Sequence, residues 1–307
     1  MFPSMVMLTM TVMPPQHVAS LQKPETATRG RSSTMPPLAR SSLQMPAAWA
    51  AIFASIVLSS SMVPLAGVSV FDGHGGMFRA FKPHGAERME ILRDAVNQDI
   101  LRPQGTLRWL THVKATMPDG LHWFGPPCGS WGFLTRSKSK RTKDNVLGNR
   151  FDPWVRTHNS IAEWVAMAIV TLTWCGIYFV IENPSGSLIF DHPAIAQALV
   201  ATKARKVGVS LFGWGHPSSK PLVLAGTAPW LEKLEEASRD LALANRDRHK
   251  TTLATTNETG AVTGNSDDLK ESAIYPDEFC ELVAKYHTEF MSRQHREDVP
   301  AKRRRLA

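Results

Sequence analysis

The strongest constraint on the fold is a long apolar helix that lies between two short apolar strands. Residues 159–173 repeat apolar side chains at helical spacing, and residues 121–124 and 177–181 are typical of buried strands. A strand, a helix and a strand in this order form a right-handed crossover, which makes the strands parallel and brings both carboxyl ends to one edge of the sheet. We therefore predict an α/β domain. The apolar face of the helix consists of Ile161, Trp164, Val165, Ala168, Ile169 and Leu172.

Each of these strands ends in residues that carry chemistry. The first ends in Gly125-Pro126-Pro127-Cys128, where two prolines fix an extended turn and present a thiol at its tip. The second ends in Glu182-Asn183, which supplies a carboxyl and an amide. The predicted topology brings Cys128 and Glu182 to one crevice. A cysteine in such a turn is either a nucleophile or a packing residue, and the turn by itself leaves both roles open.

The cysteine content and composition set the general class of the chain. Cys175 and Cys280 lie in apolar surroundings and are predicted to be small buried hydrophobes. Three cysteines without paired spacing argue against a disulfide framework or a zinc site, so a reducing compartment and no metal are expected. With 307 residues, of which 43% are hydrophobic, the chain is long enough for one α/β domain with tails.

A glycine-rich turn lies about fifty residues before Cys128. Residues 68–81 are typical of a strand, a Gly-rich turn and the start of a helix, an arrangement that lets a nucleotide-like ligand approach backbone N–H groups. A second strand is predicted over residues 87–92, followed by Asp94. The Asp94 carboxylate either accepts hydrogen bonds from ribose hydroxyls or is simply solvated.

In this order, the motifs resemble those of the cytosine-5 DNA methyltransferase family, and are most similar to a divergent, protist-type branch of it. Phe71-Asp-Gly-His-Gly-Gly76 matches the family's first motif, Pro126-Pro127-Cys128 its Pro-Cys motif and Glu182-Asn183 its Glu-Asn motif. Gln98-Asp99-Ile100 resembles its short Asp-Ile element. The resemblance covers about residues 68–230. It implies a Rossmann-like S-adenosylmethionine-dependent methyltransferase fold of the α/β class, with a mainly parallel doubly wound sheet.

The resemblance also implies a reaction, which is methyl transfer from S-adenosyl-L-methionine to carbon-5 of cytosine in DNA, with RNA left open. Cys128 would attack carbon-6, Glu182 would stabilise the developing charge and Asn183 would orient the loop. Asp99 and Ile100 would hold the cofactor's adenine. The complete set of implied cofactor contacts is Phe71, Gly73, Gly75, Gly76, Asp94, Asp99, Ile100 and Pro126.

A run of cations follows Cys128, in residues 136–143. In the family resembled, this segment is a mobile loop that closes over DNA, so its cations would contact phosphates and assist ionisation of the thiol. The alternative is a solvated charge run. The net charge of +8 and the pI near 9.6 suit a polyanionic partner. The predicted nucleic-acid contacts are Arg136, Lys138, Lys140, Arg141, Lys143 and Lys220.

Three departures from the family pattern favour an alternative function. Asn183 is followed by Pro in place of the usual Val, and Lys220 stands where an Arg normally supports the flipped base. A Lys cannot make the planar bidentate contact of Arg. Barely fifty residues remain for the family's target-recognition domain. The alternative is a catalytically inactive, methyltransferase-derived protein that binds nucleic acid or cofactor.

The remaining boundaries place tails around the methyltransferase-like domain of residues 47–230. Residues 1–46 are predicted to be disordered, and residues 47–66 are a packing helix, a signal or an anchor. A polar helix and loop are predicted over 231–273, a last helix over 274–292 and a basic tail over 293–307. The tail favours a nuclear location, while residues 1–66 leave an organellar or membrane-anchored one as the alternative. No membrane partner is expected, and the sequence leaves the oligomeric state open.

Overall fold

A computed structural model describes the backbone of residues 63–89, 98–248, 254–256, 262–264 and 273–305. Side chains are described for the same ranges except residues 88–89, 254–256, 262–264 and 295–305. Residues 1–62, on which the predictions of a disordered segment and of a helix or anchor largely fall, lie outside these ranges, as does Asp94. None of the helices within the ranges has both the length and the apolar character needed to cross a membrane.

The core of the protein is a six-stranded sheet in which five strands are parallel. In chain order its strands are β1 (Leu65–Val70), β2 (Ala86–Met89), β3 (Thr116–Phe124), β4 (Tyr178–Pro184), β5 (Arg205–Ser210) and β6 (Pro221–Gly226). Their order in the sheet is β2-β1-β3-β4-β6-β5, and β6 is antiparallel to both of its neighbours. β3 and β4 pair in parallel with Phe124 opposite Ile181, so the predicted crossover is confirmed.

Helices cover both faces of the sheet. In chain order they are α1 (Gly76–Phe81), α2 (Pro103–Ala115), α3 (Arg136–Ser139), α4 (Pro153–Trp174), α5 (Pro193–Ala201), α6 (Leu231–Ala244) and α7 (Asp277–Arg305). Side chains of α2, α4 and α5 form one apolar cluster against the sheet, and those of α1, α6 and α7 form the other. The structure is therefore a mixed α/β fold with a mainly parallel, doubly wound sheet, in agreement with the sequence.

Helix α4 shows why the central crossover could be predicted so well. Asp152 precedes it and accepts hydrogen bonds from the backbone N–H groups of Trp154 and Val155, while Pro153 occupies the first helical position. All six side chains of the predicted apolar face are buried. An apolar stripe of that width is stable only against another apolar layer, here the sheet.

Several local predictions are corrected by the fold. Pro118, Asp119 and Gly120 are residue types typical of turns, but they lie within β3, where the pairing with β1 shifts register and Asp119 has a φ of 63°. Leu107 has helical spacing with the buried Leu110 and Val113 of α2, yet it is 52% exposed. Cys280 is buried as predicted, but Cys175 caps the end of α4 and is exposed.

Three further elements extend beyond what the sequence indicated. Helix α5 was not predicted. The segment expected to be a loop at 251–270 contains a two-stranded antiparallel ladder, β7 (Ala254–Thr256) with β8 (Val262–Gly264). The last helix, predicted over 274–292, packs on the core, and α7 continues to Arg305 through the residues assigned to a basic tail.

Candidate active site

The candidate site is a crevice at the carboxyl ends of the central strands. The strand order reverses between β1 and β3, and open α/β sheets bind ligands at such a switch point. A cavity of about 300 Å³ lies at this position. It joins the two predicted loops, the Gly-rich turn and the Pro-Pro-Cys turn, with the end of β4. Its lining residues are Phe71, Asp72, Gly73, Gly125, Pro126, Pro127, Cys128, Glu182, Asn183, Pro184, Lys220, Ala273 and Tyr275.

The Gly-rich turn is held by the Asp72 carboxylate, which accepts hydrogen bonds from the backbone N–H groups of Met77 at 3.2 Å and Phe78 at 2.7 Å. Phe71 has a φ of 62°, a left-handed conformation that is strained for a bulky side chain and is found mostly at functional sites. Gly73 is also left-handed, with a φ of 55°, and a side chain added there would meet no protein atom within 4 Å. Gly73 therefore offers open backbone to the crevice.

The other two glycines of the motif have different roles. Gly75 has a φ of 76° and caps α1, and it does not line the cavity. A Cβ at Gly76 would approach the sulfur of Cys280 to 3.1 Å, so this glycine allows α7 to pack against α1. The need for glycine at these two positions comes from the local turn and from helix packing.

Asn183 fixes the Pro-Pro-Cys turn to β4. Its side-chain Nδ2 donates hydrogen bonds to the carbonyl of Pro126 at 2.8 Å and to that of Glu182 at 3.1 Å. The side chain is buried, so these bonds hold the turn in one position relative to the sheet. This geometry matches the loop-orienting role that the sequence predicted for Asn183.

Glu182 is buried at the end of β4 and bonded to a residue that sequence reasoning missed. The hydroxyl of Tyr275, which lies just before α7, donates a hydrogen bond to Oε2 of Glu182. Burial raises the pKa of the Glu182 carboxyl, while the Lys220 ammonium and the Tyr275 hydroxyl act in the opposite direction. Nothing near Tyr275 in the sequence indicates this contact, because 93 positions separate the two residues.

Gly125 makes this arrangement possible. A Cβ there would lie 2.9 Å from the carbonyl oxygen of Phe71 and 2.9 Å from the hydroxyl of Tyr275. Both distances are shorter than side chains tolerate, so only glycine lets the Gly-rich turn, the Cys128 turn and Tyr275 meet.

Cys128 and Lys220 complete the chemical groups of the crevice. The Cys128 side chain is exposed on its crevice side, but the protein around it removes part of its water. This desolvation raises the pKa of the thiol, the Glu182 carboxylate raises it further and the Lys220 ammonium lowers it. Burial also lowers the pKa of Lys220, whereas Glu182 and Cys128 raise it. The three groups are thus electrostatically linked.

Of the five cations predicted to contact phosphates in residues 136–143, one is not accessible to a ligand. Arg141, proposed as a phosphate contact, is fully buried, so that prediction is wrong. Its two terminal nitrogens donate to Val146 O at 2.5 Å, Asn159 Oδ1 at 2.9 Å, Ser130 Oγ at 3.1 Å and Val155 O at 3.3 Å. Its guanidinium also stacks 3.5 Å from the ring centroid of Trp131. Arg136, Lys138, Lys140 and Lys143 are exposed, as expected.

The prediction that cations of this run assist the thiol is also corrected. The cation that lowers the pKa of Cys128 is Lys220, which precedes β6 and was expected to contact nucleic acid. Because β6 pairs with β4, Lys220 is brought to the crevice beside Glu182.

Asp99 and Ile100 lie outside the described lining of the crevice. Asp99 Oδ1 accepts from the backbone N–H of Leu101 at 3.0 Å, and Oδ2 pairs with Arg102 at 3.3 Å. Ile100 is buried in the core, where its carbonyl accepts a hydrogen bond from Thr106. These contacts form the turn that precedes α2, and the predicted adenine contact stays a prediction.

Comparisons with known proteins add little to this geometry. No protein-family model matches the chain, and a search of curated proteins found no match. Among solved structures, a methyltransferase of Entamoeba histolytica is similar with a TM-score of 0.34 and 14% sequence identity, over 55% of this chain and 54% of that one. The chain therefore spans about half the length of that protein. A similarity of this degree identifies neither the fold family nor the activity. The proposal for function therefore rests on the residues that line the crevice.

Proposed function

We propose that the protein transfers a methyl group from S-adenosyl-L-methionine to carbon-5 of cytosine in DNA, with Cys128 as nucleophile. The observation that carries the proposal is the meeting of the Cys128 thiol and the Glu182 carboxyl in one cavity with the Gly73 turn. The mainly parallel, doubly wound sheet supports the Rossmann-like methyltransferase fold that the sequence motifs imply.

The chemistry requires a nucleophile and an acid on one pyrimidine ring. Carbon-5 of cytosine is a poor nucleophile, and attack of a thiolate on carbon-6 makes an enamine that can accept a methyl group. A protonated carboxyl that donates a hydrogen bond to ring N3 stabilises the charge that develops. Burial raises the pKa of Glu182 and so favours this protonated form. Because Tyr275 bonds to Oε2, Oε1 is the oxygen available to the ring.

The cofactor's site is proposed at the β1–β3 side of the same cavity. The left-handed Gly73 leaves open space beside the backbone, which suits the close approach of a nucleoside, and about 300 Å³ lies within the usual range of small-molecule sites. Phe71, Gly73 and Pro126 line this space and would hold the cofactor. When bound, S-adenosyl-L-methionine supplies an electrophilic methyl group. Contacts from Gly75, Gly76, Asp94, Asp99 and Ile100 remain predictions.

A second function is favoured by one specific observation. Desolvation and the Glu182 carboxylate both raise the pKa of the Cys128 thiol, which reduces the thiolate available at neutral pH. A protein of this fold that binds nucleic acid or cofactor without catalysis would have such a thiol. The two functions differ in whether a covalent bond to the base forms.

DNA that contains 5-fluorocytosine separates them. Fluorine cannot leave as the C5 proton does, so attack by Cys128 in the presence of cofactor should trap a covalent adduct, detected by mass spectrometry. Cys128→Ser should abolish the adduct, and Glu182→Gln should slow its formation because the thiol remains while charge stabilisation weakens. Cys175→Ser is the matched control, because Cys175 is also exposed but caps α4 away from the lining of the crevice. DNA binding without any adduct, on single strands and duplexes alike, would support the non-catalytic function.

A further inference from the structure

The segment that follows Cys128 combines exposed aromatic rings with exposed cations. Phe151 is 92% exposed and Phe133 is 52% exposed, which is unusual for residues of this size. Over residues 129–156, only two acidic residues, Asp144 and Asp152, accompany the cations. The exposed cations of this segment are Arg136, Lys138, Lys140, Lys143, Arg150 and Arg156.

Both aromatic positions belong to chain segments that border the Cys128 turn. Phe133 follows Trp131 and Gly132, whose N–H groups donate to the carbonyl of Cys128 at 2.9 and 3.2 Å. On the other side, a Cβ at Gly129 would lie 3.5 Å from the ring of Trp154, which follows Phe151 by three positions. The Lys138 ammonium lies 4.7 Å from the centroid of that same ring. Trp154 and Lys138 thus lie beside the turn that carries the thiol, and Phe133 and Phe151 belong to the segments that flank it.

The buried Arg141 makes this surface a fixed platform. Its guanidinium connects Ser130, next to the Cys128 turn, with the carbonyls of Val146 and Val155. Asn159 of α4 adds a bond to the Leu147 carbonyl at 3.1 Å. These contacts join the segments before and after residues 133–151 to each other and to α4, and the rings of Phe133 and Phe151 face solvent.

We propose that this platform, formed by residues 129–156, binds single-stranded nucleic acid and presents an unpaired cytosine to the Cys128 crevice. Proteins that bind single strands combine cations along the backbone path with aromatic rings on which unpaired bases stack. In a duplex the bases are stacked on each other, so exposed rings such as Phe151 would gain little from it. The inference rests on the proposed function, since it assigns a substrate class to that site.

Equilibrium binding without cofactor tests the inference independently of catalysis. The probes are fluorescein-labelled 20-nucleotide strands that contain cytosines, as DNA and as RNA of the same sequence, and the DNA strand annealed to its complement. We expect both single strands to bind more tightly than the duplex, measured by anisotropy at several salt concentrations. Equal or tighter binding of the duplex would overturn the inference, and a difference between the DNA and RNA strands would identify the natural polymer.

Variants distinguish stacking of bases on the two Phe rings from electrostatic attraction between the cations and the phosphates. Phe151→Ala and Phe133→Ala should each weaken single-strand binding by about 5- to 140-fold, the range for loss of one stacked base, and leave duplex binding unchanged. Leu243→Ala is the matched control, because Leu243 is 67% exposed but lies on α6. Lys143→Gln should reduce the magnitude of the slope of log binding constant against log salt concentration by about 0.7 for a single strand. Unchanged single-strand affinity in both Phe variants would refute the platform.

The adduct experiment keeps the two proposals apart. Tight single-strand binding that depends on Phe151, without an adduct, supports the platform and removes the catalytic function. An adduct that forms on duplex DNA only, with wild-type affinity in the Phe variants, supports the catalytic function and removes the platform.

Discussion

Two buried charged groups, Arg141 and Glu182, lie near the Cys128 turn and have different surroundings. Arg141 gives the terminal nitrogens of its guanidinium four acceptors, stacks on Trp131 and does not line the crevice. Glu182 accepts a hydrogen bond from Tyr275 and lines the crevice. A buried charge enclosed by protein groups contributes to the fold, whereas one that lines a cavity is available to a substrate.

The pKa shifts of Arg141 and Glu182 agree with a structural role for the first and a chemical role for the second. Burial lowers the pKa of Arg141 to about 10, so the guanidinium stays protonated at neutral pH and keeps its donors. Burial raises the pKa of Glu182 instead, which favours the protonated form of the carboxyl. Variants of Arg141 should therefore affect the free energy of unfolding most, and variants around Glu182 and Cys128 should affect adduct formation and thiol reactivity most.

The largest expected effect on stability is that of Arg141→Met. The substitution leaves the carbonyls of Val146 and Val155 and the side chain of Asn159 without their donor, and each buried unsatisfied group costs about 1–3 kcal/mol. We expect the free energy of unfolding in urea to fall by about 3–5 kcal/mol. Lys143→Met, an exposed neighbour, should change it by about 0.5 kcal/mol or less. A loss of similar size in both variants would contradict a structural role for Arg141.

Gly125→Ala tests whether three chain segments must meet at the crevice. The added methyl group would lie 2.9 Å from the Phe71 carbonyl and the Tyr275 hydroxyl, so overpacking should cost about 1–3 kcal/mol in unfolding free energy and reduce adduct formation. Gly129→Ala is the control within the same turn, because its Cβ makes only an ordinary contact of 3.5 Å with Trp154. Equal stability and adduct yields for the two variants would show that Gly125 is not required.

Tyr275→Phe removes one hydroxyl from Glu182 and keeps the aromatic packing. Because the hydroxyl's hydrogen bond lowers the pKa of Glu182, its loss should raise that pKa further. If the protonated carboxyl is the active form, the decline of the adduct rate at high pH should move to higher pH. The stability loss should be only about 1 kcal/mol. A pH profile identical to wild type would exclude Tyr275 as a positioning residue for Glu182.

Lys220→Gln should have the smallest effect, a change in the pKa values of Cys128 and Glu182. The Lys220 ammonium lowers the pKa of Cys128, so its removal should shift the pH dependence of Cys128 alkylation by iodoacetamide toward higher pH. Cys175 in the same protein is an internal control, since burial alone shifts its pKa and its profile should not move. Parallel shifts at both cysteines would indicate a general change in the protein.

The sequence by itself determined the central crossover and the residues at its ends. The apolar periodicity of α4, its Asp152-Pro153 start and the two flanking strands are local signals, and the handedness of crossovers then fixes which sheet edge Cys128 and Glu182 share. The resemblance of Glu182-Asn183 to the family's Glu-Asn motif also assigned Asn183 to the Cys128 turn.

The tertiary structure alone decided which polar residues are structural and which are available. Arg141 has the same local sequence signal as Lys140 and Lys143, yet only packing against Trp131 and α4 buries it. Tyr275 and Lys220 reach Glu182 through α7 and β6, from 93 and 38 positions away. Burial and the fields of distant charges arise from contacts between segments far apart in the chain, so no local pattern encodes them.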